Sequence, residues 1–122
     1  MTVRVLIVDD QEPFRSVARE VVEAVDGFEV IAEAESGEES VALAKAEAPD
    51  LVLMDVNLPG IDGVEATRRI LRDRPSTKVM LLSTYGEDEL APRAAECGAF
   101  AYATKSAFDP DKLEAVWAAA NG

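Results

Sequence analysis

The chain contains no histidine among its 122 residues. This absence excludes histidine-dependent catalytic triads, histidine-ligated metal sites and a role as a phosphohistidine carrier. Cysteine is almost as scarce, because Cys97 is the only one and a single thiol cannot form a disulfide within the chain. One cysteine fits a reducing compartment, so we expect a cytoplasmic protein.

Long apolar runs are also missing. No run approaches the roughly 20 residues that a transmembrane helix needs. The apolar amino-terminal segment is interrupted by Asp9 and Asp10 before a signal-peptide core could form. We therefore expect no membrane association.

Basic residues are few beside the acidic ones. The sequence has 12 lysines and arginines against 24 aspartates and glutamates, which gives a net charge of -12 and an isoelectric point near 4.3. Such an acidic surface repels the phosphates of DNA and RNA, so this chain is not expected to bind nucleic acid directly. Its length predicts one domain over residues 1–122.

What the sequence does contain is an alternation of apolar strands and amphipathic helices. Strands are predicted at residues 3–8, 28–34, 51–54, 78–82 and 101–103. The second includes Glu29 and Glu33 and is predicted to lie at an edge, whereas the uninterrupted runs predict buried central strands. Together they predict an α/β fold: a single doubly wound, flavodoxin-like (βα)5 domain with a parallel sheet of order 2-1-3-4-5.

The helices have clear start and stop signals. Pro13 opens the first helix, Ser36 and Glu39 have the form of a capping box for the second, and Asp109 caps the last. Pro92 would disrupt the fourth helix, which is therefore predicted to begin late, near residue 90 or 91, or to be bent. Two helix faces are predicted to pack on the sheet: Phe14, Val17, Ala18, Val21, Val22 and Val25, and Leu113, Val116, Trp117 and Ala120.

Polar residues lie at the carboxyl ends of four predicted strands, which meet at one edge of a parallel sheet. These residues are Asp9, Asp10, Asp55, Ser83, Thr84 and Lys105. Taken singly, an aspartate there is usually a turn former or a helix cap, and a lysine is usually solvated. Taken together, three converging carboxylates repel one another unless a hard cation such as Mg²⁺ binds among them.

The same residues supply the parts of a phosphoryl-transfer site. That reaction needs a nucleophile, in-line positioning and cations that neutralise the phosphoryl oxygens. Asp55 would be the nucleophile, while Mg²⁺ and Lys105 would be the cations. Ser83 would donate a hydrogen bond to the phosphoryl group, and the backbone carbonyl of Asn57 is a candidate third protein ligand of the metal.

Four motifs occur in order along the chain: Val-Asp-Asp at 8–10, Leu-Met-Asp-x-x-Leu-Pro-Gly-x-Asp-Gly at 53–63, Leu-Ser at 82–83, and Tyr-x-x-Lys ending at 105. With these motifs the chain resembles, over nearly its whole length, the receiver domain of bacterial two-component response regulators. The resemblance implies that Asp55 accepts a phosphoryl group from a sensor histidine kinase. It also implies that Asp10 and Asp55 bind Mg²⁺ directly, that Asp9 binds it through water, and that the Asn57 carbonyl completes the protein ligands.

The resemblance further implies a switch and not an enzyme with turnover, with only slow self-dephosphorylation. In the family, phosphorylation draws the hydroxyl on the fourth strand inward and an aromatic ring on the fifth strand follows. Ser83, with the neighbouring Thr84, and Tyr102 occupy those places here.

One departure indicates a subgroup. Ser106 follows Lys105 where most receivers have proline, as in members that resemble the nitrate-response and quorum-sensing regulators. That subgroup usually has a C-terminal helix-turn-helix output domain, which is absent from this chain. The resemblance therefore implies control of transcription through such a domain, and it allows for a homodimer on phosphorylation.

Three alternatives stay open at this point. A stand-alone receiver would act through protein–protein contacts alone. A flavin-binding domain would need a hydroxyl- and glycine-rich loop after the first strand, where this chain has Asp9, Asp10 and Glu12. An aspartyl-phosphate phosphatase-like enzyme would need an acid two residues after the nucleophile, where this chain has Asn57.

Overall fold

The computed structural model describes residues 2–84 and 86–121. Within them, five strands and five helices alternate, and a short 3₁₀ turn follows the last strand. The strands are β1 (Val3–Val8), β2 (Phe28–Ala34), β3 (Leu51–Asp55), β4 (Lys78–Ser83) and β5 (Ala101–Thr104). The helices are α1 (Glu12–Glu23), α2 (Gly37–Glu47), α3 (Gly63–Asp73), α4 (Glu87–Cys97) and α5 (Pro110–Asn121).

The strands form one parallel sheet of order β2-β1-β3-β4-β5, which confirms the predicted fold. Every residue of β3 is buried, since helices cover both faces of the sheet at its centre. The register brings Val8 of β1 beside Met54 of β3, and Asp55 beside Leu82 of β4. The carboxyl ends of the three central strands therefore lie side by side.

Two apolar layers flank the sheet. On one face, Ala18 and Val22 of α1 and Leu113 of α5 pack against the strands. On the other face, the layer contains Ala44 of α2, together with residues of α3 and α4. No helix within residues 2–84 and 86–121 is long and apolar enough to cross a membrane.

The predicted packing of Val17 was wrong. Val17 is 47% exposed, whereas Arg15 is buried. The buried stripe of α1 runs through Arg15, Ala18 and Val22, and one residue along a helix turns the side chain by about 100°, so Val17 points away from that stripe. Ala120 was also placed wrongly, because it is exposed in the last turn of α5, where its single methyl group does not extend to the core.

The predicted late start of α4 was also wrong. The helix begins at Glu87 and contains Pro92 in its interior. Its buried residues Leu90, Ala94 and Cys97 recur at helical spacing, whereas Pro92 is exposed. Water can therefore satisfy the carbonyl of the exposed Asp88, which would otherwise accept the missing N–H bond.

The predicted helix caps are present with one shift. The Ser36 side chain accepts a hydrogen bond from the Glu39 backbone N–H at 3.1 Å. The Glu39 carboxylate, however, accepts from the backbone N–H of Glu35 at 2.6 Å, one residue before the expected partner. Asp109 caps α5 by accepting from the backbone N–H of Lys112 at 2.8 Å.

Candidate functional site at the carboxyl edge of the sheet

The predicted site residues lie along the carboxyl edge of the sheet, because each one ends or follows a strand there. Asp9 follows β1, Asp55 ends β3, Ser83 ends β4, and Lys105 follows β5. Asp10, Asp55, Asn57, Thr84 and Lys105 line one cleft of about 590 Å³. Ser83 lines a smaller neighbouring cavity of about 270 Å³, which shares Asn57 with the cleft.

Three carboxylates meet beside this cleft, of which Asp10 and Asp55 line it. One oxygen from each of Asp9, Asp10 and Asp55 lies within 4.8 Å of the others. Asp9 and Asp55 are buried, whereas Asp10 is exposed. Oxygen ligands grouped in this way suit a hard divalent cation such as Mg²⁺, which keeps several of its waters and needs few protein ligands.

The buried oxygen Oδ2 of Asp9 supports the same fit. The other oxygen of this side chain, Oδ1, accepts a hydrogen bond from the backbone N–H of Gln11 at 2.8 Å. Oδ2 has no hydrogen bond of normal geometry within the part of the chain that the structure describes. Lys105 Nζ lies 2.7 Å from it, which balances its charge without a well-directed hydrogen bond. A buried oxygen in this state retains bonding capacity that a cation, or a water bound to one, could use.

The environment of Asp55 disfavours its ionised form. Burial, and then the charge of Asp9, raise the pKa of Asp55 from its ordinary value of 3.8 to about 6. The charge of Lys105 and the backbone N–H of Asn57, which donates to Asp55 Oδ1 at 3.2 Å, act in the opposite direction without cancelling the increase. A cation beside Asp55 would favour the carboxylate, so metal binding and ionisation of Asp55 should reinforce each other.

Lys105 is held between the acids and an aromatic ring. Its ammonium lies 2.7 Å from Asp9 Oδ2 and 3.5 Å from Asp55 Oδ2. It also lies 4.6 Å from the centre of the Phe14 ring, within the range of a cation–π interaction. This arrangement keeps the ammonium beside Asp55, where it could neutralise a second anion.

The loop after β3 is built against the backbone of Asp55. The backbone N–H of Gly63 donates to the carbonyl of Val56 at 2.9 Å. A Cβ atom at Gly63 would lie only 2.1 Å from the Asp55 carbonyl oxygen, so any larger residue would push α3 away from β3. Gly60 has φ +74, a left-handed conformation that favours glycine.

The other predicted residues are placed as follows. Asn57 and Thr84 are exposed at the cleft, and their side chains are open to solvent. Tyr102 is half-buried on the edge strand β5 and packs against the apolar layer of α2, α3 and α4. It is therefore separate from the three carboxylates, and any role for it must be indirect.

Two residues beside the site were missed from the sequence. Phe14 was assigned only to the core, and Arg15 was not considered at all. Arg15 is 7% exposed, and its Nη1 donates to the backbone carbonyl of Asp9 at 2.7 Å. The one signal in the sequence is its spacing, because Arg15 lies three residues before Ala18 and seven before Val22 and so shares a helix face with them.

Comparison with known proteins agrees with this geometry. A family model described as "Response regulator receiver domain" matches residues 5–118. Response regulator GacA of Pseudomonas viridiflava is 41% identical over 114 residues, which are 93% of this chain and 53% of GacA. The chain thus spans about half the length of the curated relatives it matches.

Solved structures give the same result. A two-component response regulator of the LuxR family from Aurantimonas sp. SI85-9A1 superposes with a TM-score of 0.87 at 35% identity, covering 98% of this chain and 87% of that one. The CheX-CheY-BeF3-Mg²⁺ complex from Borrelia burgdorferi gives 0.87 at 26% identity, covering 98% and 89%. The LuxR-family neighbour agrees with the subgroup predicted from Ser106. The chain therefore belongs to the family of response regulator receiver domains, which are regulatory units of phosphorylation-based signalling.

Proposed function

We propose that this domain accepts a phosphoryl group on Asp55 from the phosphohistidine of a sensor histidine kinase. An Asp55 carboxylate oxygen attacks phosphorus, the new O–P bond forms as the histidine N–P bond breaks, and the departing nitrogen keeps the electron pair and then binds a proton. The observation that supports this most directly is the convergence of Asp9, Asp10, Asp55 and Lys105 at one edge of the sheet.

Asp10, Asp55 and the backbone carbonyl of Asn57 would hold Mg²⁺, with Asp9 acting through water. Bound there, Mg²⁺ would neutralise charge on the phosphoryl oxygens. Lys105 would pair with another phosphoryl oxygen, since its ammonium is already held beside Asp55 by Asp9 and Phe14. Ser83, at the end of the adjacent strand, would donate a hydrogen bond to the same group.

The test of this assignment is phosphorylation with Mg²⁺ and acetyl phosphate, followed by intact mass. The wild-type chain should gain one phosphoryl group and Asp55→Asn should gain none. Asp73→Asn is a matched control, because Asp73 is an exposed acid at the far end of α3. Equal labelling of Asp55→Asn and the wild type would contradict the assignment.

The switch would use Ser83, Thr84 and Tyr102. We infer that a phosphorylated Asp55 favours one of two arrangements of the Ser83–Thr84 segment, and that the half-buried ring of Tyr102 on the neighbouring strand β5 follows. Beryllofluoride with Mg²⁺, the combination named for the Borrelia complex, should shift the amide resonances of these residues. Unchanged resonances there, with changed resonances at Asp55, would argue against this route.

The output is proposed to be transcription through a DNA-binding domain elsewhere in a longer protein. Support comes from the relatives, which are response regulators of about twice the matched length. Reading the gene downstream of the codon for Gly122 tests this directly: a helix-turn-helix sequence would support it, whereas a stop codon would favour a stand-alone receiver. Slow loss of the phosphoryl group is expected, because Asn57 cannot replace the acid of a phosphatase-like site. Rapid release of phosphate would favour that enzyme instead.

A further inference from the structure

We infer that Arg15 is a positioning residue that sets the affinity of the site for a divalent cation; this inference depends on the metal site proposed above. The Arg15 side chain does not touch the open cleft. Its Nη1 instead donates to the backbone carbonyl of Asp9 at 2.7 Å, and that carbonyl belongs to the peptide group joining Asp9 to Asp10. Arg15 therefore acts on the backbone that links two of the three acids.

The guanidinium is fixed by acids from three parts of the chain. Arg15 Nη2 pairs with Glu12 of its own helix at 2.9 Å, and Nε pairs with Glu33 of β2 at 3.2 Å. Glu35, which follows β2, lies 3.4 Å from Arg15 Nη2. Arg19 Nη1 also lies 2.7 Å from Glu33, so the same ion cluster contains a second arginine that does not contact the Asp9 carbonyl. With Nε and Nη2 occupied by these acids, Arg15 presents Nη1 to the Asp9 carbonyl in one orientation.

The need for such support comes from Asp10. Its carboxylate is exposed, and no hydrogen bond to it is found among the described residues, so its place is set by the backbone on either side. Three hydrogen bonds hold that backbone. The Asp9 N–H donates to the Ala34 carbonyl at 3.0 Å, and the Asp9 carbonyl accepts from Arg15. The Gln11 N–H donates to Asp9 Oδ1 at 2.8 Å. Losing Arg15 would free the peptide plane that directs the Asp10 side chain.

Charge alone predicts the opposite effect. Arg15 is a cation near a cation site, so removing its charge should strengthen metal binding if Coulomb interaction were its only influence. If Arg15 acts by positioning, removing it should weaken binding. Partners that orient metal ligands typically contribute about 10- to 100-fold in affinity. The direction of the change therefore separates the two explanations.

The experiment is a Mg²⁺ titration of four proteins: the wild type, Arg15→Gln, Arg15→Lys and Arg19→Gln. Binding is measured by calorimetry and by changes in amide resonances. We expect the dissociation constant to rise about 10-fold or more for Arg15→Gln. It should also rise for Arg15→Lys, which keeps the charge but loses the planar fork. Arg19→Gln is the matched control, since it removes a charge from the same ion cluster but makes no bond to the Asp9 carbonyl.

Each outcome decides one point. If the wild type does not bind Mg²⁺, the proposed metal site is wrong and the inference is lost with it. If the wild type binds but the Arg15 variants bind equally or more tightly, the inference alone is overturned. Equal weakening by Arg19→Gln would show a general effect of the ion cluster and would also overturn it. Thermal unfolding without metal shows which variants are folded. If Arg15→Gln does not fold, the Mg²⁺ affinity of Arg15→Lys tests the inference.

Discussion

Replacing Asp55 by asparagine should stabilise the metal-free protein at neutral pH. The folded chain holds this carboxylate in a buried strand end beside Asp9, where the charged form is disfavoured. Asparagine has nearly the same shape and resembles the protonated acid, so the variant removes the unfavourable charge and leaves the packing largely unchanged. The loss of the attraction to Lys105 is already included, because Lys105 lowers the same pKa.

The magnitude follows from the pKa of Asp55, about 6 in the folded chain against an ordinary 3.8. Each tenfold change in proton affinity corresponds to about 1.4 kcal/mol, so the ionised side chain costs the folded state about 3 kcal/mol at neutral pH. For a chain of this size, that difference corresponds to about 10 °C in the unfolding temperature.

The pH dependence has a definite sign. The folded state binds the Asp55 proton more tightly than the unfolded state, so this group contributes its full stabilisation below pH 3.8 and loses it as the pH rises to about 6. Asp55→Asn has no titrating group at this position, so its stability lacks this contribution to the pH dependence. The two proteins should therefore differ most in stability at neutral pH and converge in acid.

The assay is urea unfolding of both proteins in EDTA, at neutral pH and near pH 4, with Asp73→Asn as a control for loss of an exposed acid. Carboxylates distant from Asp55 titrate in the same range, but their contributions cancel in the difference between the variants. A variant no more stable than the wild type at neutral pH, or a difference that does not shrink in acid, would refute this account of Asp55.

Three further changes test other parts of the structure. Gly63→Ala should destabilise the fold by about 1–3 kcal/mol in denaturant unfolding, because its Cβ would lie 2.1 Å from the Asp55 carbonyl oxygen. Gly86→Ala, where the added Cβ meets nothing within 4 Å, loses only the preference for glycine at the N-cap of α4 and should cost less, and equal effects would contradict the packing argument. Pro92→Ala should stabilise α4 by about 1–3 kcal/mol by restoring a backbone hydrogen bond, seen as slower amide exchange in that helix, and faster exchange would show that the proline is required there. Lys105→Ala should still bind Mg²⁺ in a metal titration but should fail to shift the Tyr102 resonances with beryllofluoride, and a normal shift would remove Lys105 from the switch.

The fold and the grouping of the site were accessible from the sequence for the same physical reason. Uninterrupted apolar runs such as residues 51–54 specify buried parallel strands, and parallel strands bring their carboxyl ends to one edge. An acid at the end of such a run therefore has a predictable position. This reasoning needs only the order of the strands. The polar residues of β2 indicate an edge strand, and the uninterrupted apolar runs of β1, β3 and β4 indicate central strands.

What could not be predicted depends on contacts between distant residues. Arg15 is oriented by Glu33, which lies on another element and 18 positions away, and nothing local marks the two as partners. The free-energy cost of Pro92 in a helix depends on whether the proline faces solvent. Its orientation is decided by the packing of Leu90 and Ala94 and not by the proline itself. Val17 was misplaced because several apolar residues crowd one helix, and only tertiary packing selects the stripe that is buried.

The tight contact at Gly63 means that the free space around Asp55 differs between the side of α3 and the side of α4. Toward α3 there is no spare space, since even one methyl group would collide with the strand. Toward α4 there is a cavity of about 270 Å³ bounded by Ser83, Leu90 and Arg93. The backbone of Asp55 therefore has no room to move toward α3, whereas the neighbouring β4–α4 side has free volume, so we expect any displacement of the segments around the site to occur in β4 and α4 while α3 stays in place.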